Sequence, residues 1–147
     1  MPQLLIIGYG NPLRGDDGLG WRAADRLRET VADPQIEVLS VHQLTPELMD
    51  PISQAARVIF IDASDAGEPG EIRERRLTPA APSPGQFTHH FTPETLLAGA
   101  RELFGSAPEA VLYTVSGAGF ELGEDLSPPV RAGMERLVDK IISTLPA

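Results

Sequence analysis

The stretch LLIIGYGNPLRGDDGLG, Leu4 to Gly20, constrains this chain more than any other. Its first residues form an unbroken apolar run rather than an alternating one. That is the pattern of a central strand covered on both faces. The run enters a glycine turn, Gly8-Tyr9-Gly10, and the turn leads into an amphipathic helix. Leu19, Ala23, Leu27 and Val31 recur every four residues, with Arg22, Asp25, Arg26 and Glu29 between them. Two adjacent carboxylates, Asp16 and Asp17, fall at the helix start, where acids complement the helix dipole. Asp16 is placed to cap the helix through the backbone N–H of Gly18 or Leu19. Asp17 is then free to point into a crevice.

The same alternation continues. Asp33-Pro34 stops the first helix, and Ile36 to Leu39 makes a second strand. Thr45-Pro46-Glu47 starts a short helix interrupted at Asp50-Pro51 and running to about Ala56. Val58 to Ile61 is another continuous apolar strand, ending in Asp62. Glu68-Pro69-Gly70 is a turn, and Ile72 to Leu77 reads as a charged edge strand. Thr78 to Gly85 holds three prolines and reads as an irregular loop that could cover a site. Thr92-Pro93-Glu94 opens a helix with Leu96, Leu97, Ala100 and Leu103 inward and Gly105 as its stop. Val111 to Val115 is a strand, Ser116 to Asp125 a glycine-rich acidic loop. Ser127-Pro128-Pro129 starts a last helix striped by Val130, Met134, Leu137, Ile141 and Leu145. The order β-α-β-α-β-β-α-β-α predicts one three-layer α/β domain over residues 1–147. Its sheet is twisted and mostly parallel, with about five strands and helices on both faces.

In such a sheet the site lies off the carboxyl ends of the strands. Three sets of polar residues fall there: Asp16 and Asp17, Asp62, and His89 with His90. An acid at the end of the apolar run VIFID is desolvated unless paired, which is costly. His42, the third histidine, reads as structural or solvated. Two carboxylates and an imidazole can hold a borderline divalent ion such as zinc, nickel, cobalt or manganese, with a position left open. Alternatively, the carboxylates can orient the histidine as a general base. Gly8-x-Gly10 begins like a dinucleotide loop, but Leu13 stands at its third glycine position, and the acids that follow would repel a pyrophosphate.

Composition narrows the classes further. The chain of 147 residues carries 12 Lys and Arg against 21 Asp and Glu, a net charge of −9. That balance argues against a nucleic-acid partner and for cations or a basic peptide. With no cysteine there is no disulfide and no thiol nucleophile, and no Gly-x-Ser-x-Gly elbow is present. The N-terminus reads as neither a signal peptide nor a membrane span, so the expected compartment is the cytoplasm.

The run GYGNPLRGDDGLG (Gly8–Gly20) resembles the N-terminal signature of the hydrogenase maturation endopeptidases, G-x-G-N-x-L-x-x-D-[DE]-x-x-G. VHQLTPELMD (Val41–Asp50), VIFIDASDAGEPG (Val58–Gly70), FTHHFTPETL (Phe87–Leu96) and SGAGFELGEDLSP (Ser116–Pro128) are similar to later family segments, in the same order. The resemblance implies a mostly parallel α/β fold. It implies a peptidase that clips the C-terminal extension from the large-subunit precursor of a nickel–iron hydrogenase once nickel is in place. The family's nickel-binding acids and histidine fall on Asp17, Asp62 and His90, with His89 the alternative one residue away. The metal then arrives with the precursor rather than as a stored cofactor, and another divalent cation could replace it in vitro. A monomer is expected. A non-proteolytic, metal-dependent binding or chaperone module for hydrogenase assembly is the other reading.

Overall fold

The computed structural model describes residues 2–80 and 91–145. Its elements are β1 (Leu4–Tyr9), α1 (Leu19–Thr30), β2 (Ile36–Val41), α2 (Met49–Gln54), β3 (Arg57–Ser64), β4 (Ile72–Leu77), α3 (Pro93–Phe104), β5 (Glu109–Ser116) and α4 (Pro128–Thr144). Single 3-10 turns, Gly15–Gly18 and Pro46–Leu48, lead directly into α1 and α2. The five strands form one sheet in the order β2-β1-β3-β5-β4. All neighbours run parallel except β4, which closes the edge antiparallel to β5. The expected three-layer α/β architecture is the observed one, charged edge strand included.

The side-chain alternation of the strands builds two cores, one per face. Leu4 and Ile6 of β1 and Ile59 and Ile61 of β3 meet Leu19, Ala23 and Leu27 of α1 and Val130, Leu137 and Ile141 of α4. On the other face Leu5 and Ile7 of β1 and Val58 and Phe60 of β3 meet Ile52 of α2 and Leu96, Leu97 and Ala100 of α3. Each fully buried aliphatic side chain contributes about 2 kcal/mol of transfer free energy, so both faces of β1 must be covered to hold it. The α1 contact is unusually close. A Cβ on Gly20 would collide with the carbonyl oxygens of Ile61 and Tyr9, and one on Gly8 with the Gly20 carbonyl. Only glycine at both positions lets helix and strands approach this far.

Two expectations change. Leu103 is 70% exposed, not inward. Residues 101–106 are all exposed, so the last turn of α3 runs past the core that Leu96, Leu97 and Ala100 complete. Asp62 does not end its strand, because β3 continues to Ser64, paired with Ser116. What ends is the β1 pairing, whose last partners are Gly8 and Ile61. Asp62 is therefore the first β3 residue past the point where β1 turns away. His89 and His90, and the loop from Thr78 beyond Ala80, lie outside the described residues.

Candidate active site

β1 connects to β2 on one side and, through β2 and α2, the chain returns to β3 on the other. The crevice between β1 and β3 is the place where the winding reverses, the location at which open α/β sheets bind ligands. Asp17 enters this crevice from the turn after β1, and Asp62 from β3. Gly10 makes the first entry possible. Its φ is +141°, and a Cβ there would strike the carbonyl oxygen of Asp17. The chain can fold back over Asp17 only with glycine at that position. The Asp17 carboxylate accepts the Asn11 N–H at 2.9 Å, while the Asn11 side-chain oxygen accepts the Leu13 N–H at 2.9 Å. The turn thus holds its own acid in place.

Asp62 follows Val58 and Phe60 on the face covered by α2 and α3. Its carboxyl is pushed up to about 6: burial raises it most, the Ala63 N–H, donated to Oδ1 at 2.8 Å, and the Tyr9 hydroxyl pull against that, and the Asp17 charge adds to the rise. Tyr9 stands next to Asp62 at the end of β1, its ring edge-on to Phe60 with centroids 6.5 Å apart. Burial and then the Asp62 charge raise the Tyr9 phenol far above its ordinary value, so it stays a neutral donor. Glu94, in the first turn of α3, raises it too. The start of α3, just after His90 in sequence, therefore lies toward the Asp62 side of the sheet.

The two acids picked from sequence are brought together, close enough that the charge of one opposes ionisation of the other. His89 and His90 cannot be placed beside them. Among the described residues no group of three or more His, Cys, Asp or Glu could hold a metal ion. His42 is exposed, edge-on to Trp21 at 5.0 Å.

No family model matches the chain. The hydrogenase expression/formation protein HupD of Bradyrhizobium diazoefficiens is 29% identical over 143 residues, 93% of this chain and 74% of that protein. A HupD from Thiocapsa roseopersicina is 32% identical over 75 residues, half of this chain and 34% of that protein. The crystal structure of the NiFe hydrogenase maturation protease HycI from Thermococcus kodakarensis matches with a TM-score of 0.78 at 28% identity. The match covers 96% of this chain and 90% of that one. The hydrogenase maturating endopeptidase HybD of E. coli also gives 0.78, at 25% identity, covering 99% of this chain and 92% of that one. The chain is similar to hydrogenase maturation proteases along nearly its whole length.

In this chain the other acid of the motif has a role that local sequence does not reveal. Asp16 does not cap α1, whose start receives no side-chain hydrogen bond. Its carboxylate is 1% exposed and reaches across the molecule. It accepts the N–H groups of Ala118 at 2.8 Å, Gly119 at 3.0 Å and Ser127 at 2.8 Å, and the Ser127 hydroxyl at 2.8 Å. Burial alone would raise the Asp16 carboxyl; these four donors outweigh it and hold it below the ordinary carboxylate range. Side chains of neighbouring helix-start residues diverge, so with Asp17 in the crevice Asp16 points the other way, at the loop before α4. Arg22 of α1 ties the same parts, donating to the Pro12 carbonyl at 3.2 Å and to the Glu124 carbonyl. The signal open to a sequence reader was the GAG of Gly117–Gly119, whose bare backbone suits close approach to a buried acid.

Proposed function

We propose that the chain is an endopeptidase that removes the C-terminal extension of a nickel–iron hydrogenase large-subunit precursor. Asp17, Asp62 and one histidine, His90 in the family register or its neighbour His89, hold nickel that the precursor brings. The observation that carries this reading is the meeting of Asp17 and Asp62 in a half-buried crevice at the sheet's reversal point. Two carboxylates so placed repel each other, and a divalent cation turns that repulsion into attraction. Two oxygens and an imidazole nitrogen form a donor set that nickel accepts. The names of the relatives, maturation protease and maturating endopeptidase, support the reaction class.

Hydrolysis joins the oxygen of water to the scissile carbonyl carbon, breaks the C–N bond and delivers a proton to the departing amide nitrogen. The attacking water supplies that proton, while Asp62 would hold the ion as a carboxylate. Tyr9 and the Ala63 N–H hold its orientation. No cysteine is present for an acyl-enzyme. No helix among the described residues is long and apolar enough to cross a membrane, in keeping with work on a precursor in the cytoplasm.

The test is direct. The purified protein is incubated with nickel-loaded and nickel-free precursor, and the C-terminal tail is followed by mass spectrometry. The loaded precursor should be shortened, the empty one left intact, and an Asp17→Ala, Asp62→Ala double variant inactive. Full cleavage by the double variant overturns the site. Equal cutting of both precursors overturns nickel recognition. Binding without cleavage under every metal condition favours an assembly module instead.

A further inference from the structure

The loop between β5 and α4 forms a second concave feature, bordered by the turn that carries Asp16. A cavity of about 480 Å³ is lined by Gly15, Asp16, Phe120, Leu122, Leu126 and Ser127 among others. That volume is in the range of pockets that take a ligand or a few side chains. Leu126 forms part of the buried core, whereas Leu122 is 82% exposed. Leu13, on the turn after β1, is 52% exposed. The two leucine-bearing loops are fastened to each other. The Gly123 N–H donates to the Leu13 carbonyl at 2.9 Å, the Gly15 N–H to the Gly123 carbonyl at 2.7 Å, and the Asp16 N–H to the Gly119 carbonyl at 2.8 Å. Isolated exposed leucines are ordinary on a protein surface. Here Leu122 and Phe120 line a preformed cavity, Leu13 lies on the loop hydrogen-bonded to it, and the four hydrogen bonds to Asp16 keep the cavity in shape.

Charge indicates what covers it. Glu121, Glu124 and Asp125 lie within three residues of Leu122 in sequence, all three exposed, and none forms an ion pair among the described residues. A symmetric contact with a second copy would set these acids against themselves, on a chain already at −9. A basic segment with an apolar anchor satisfies both the acids and the leucines. The position is equally informative. Asp16 lines the cavity and Asp17 faces the crevice from the same 3-10 turn, so one short segment borders both.

We infer that this groove is the docking surface for the substrate protein, engaging a basic segment with an apolar anchor close to the bond that is cut. The inference rests on the peptidase reading, because it takes the hydrogenase precursor as the occupant. Two variants test it, Leu122→Asp and the charge reversal Glu121→Lys, Glu124→Lys. Both alter exposed loop positions, and an unchanged melting temperature shows that they fold. The Kd for nickel-loaded precursor and the cleavage kinetics are measured in parallel. Each variant should weaken Kd and raise KM by about tenfold or more while leaving kcat unchanged. Unchanged Kd in both variants overturns the docking surface. Wild-type protein that binds precursor but never cuts it overturns the peptidase reading alone, and Kd still decides the groove. Self-association of the wild type that Leu122→Asp abolishes makes a second copy the occupant and overturns the assignment.

Discussion

Asp62 and Asp16 are both withdrawn from water, yet their surroundings drive them in opposite directions. At Asp62 burial and the Asp17 charge prevail, and the carboxyl titrates at about 6 against 3.8 in water. Between those pH values the folded chain binds more protons than the unfolded one, so stability falls as pH rises through the window. A shift of about two units corresponds to roughly 3 kcal/mol lost above it. Asp62→Asn should therefore be more stable than the native protein by about 2 kcal/mol at pH 8 and no more stable at pH 4. Urea denaturation at the two pH values measures this, and a gain that does not depend on pH would contradict it. Asp16 shows the reverse linkage. Its folded carboxyl lies below the ordinary range, so its contribution is present above the unfolded value and lost as pH falls through the folded one. Asp16→Ala leaves three backbone N–H groups and a hydroxyl without their acceptor. It should cost on the order of 4 kcal/mol, read as a large drop in melting temperature at neutral pH.

At the scale of elements, the close seat of α1 on β1 and β3 positions the turn that carries Asp17. Gly20→Ala would push α1 away from the Ile61 and Tyr9 carbonyls. A loss of about 2–3 kcal/mol in stability is expected, with kcat falling in the fraction that remains folded, since Asp17 and Asp62 move apart. Equal kcat in a folded Gly20→Ala protein would show that the acids do not depend on that contact. The elements themselves were legible because their signals are local. Continuous apolar runs marked β1 and β3, and Thr92-Pro93-Glu94 marked a helix start that a capping box between Thr92 and Thr95 completes. Gly105 ends that helix with φ +81°, as its position suggested. Leu103 misled because its spacing is helical, but α3 outlasts the core beneath it. Asp16 misled because its partners lie 102 to 111 residues away. A carboxylate at a helix start has a local use, and only the folded chain shows the distant one. Asp17 and Asp62 are singled out in the sequence by topology and by the motif resemblance, since the reversal of strand order decides where such acids can meet.

Across the whole molecule, the charge of −9 is spread over a chain whose crevice and neighbouring groove are both acidic. Long-range attraction should speed encounter with a basic segment of the precursor. The association rate, followed by stopped flow, should fall severalfold between low and physiological salt, as screening shortens the reach of the charges to about 8 Å. A rate independent of salt would remove charge steering from the picture. The central claim is narrower: that Asp17, Asp62 and one histidine of the His89–His90 pair close on a single ion. The most direct measurement is a crystal structure of the protein soaked with nickel, with anomalous scattering to identify the metal. The expected result is one nickel in the crevice between β1 and β3, with carboxylate oxygens of Asp17 and Asp62 and a histidine nitrogen at about 2.0–2.2 Å. Nickel bound elsewhere, or bound in the crevice without both acids, would contradict it.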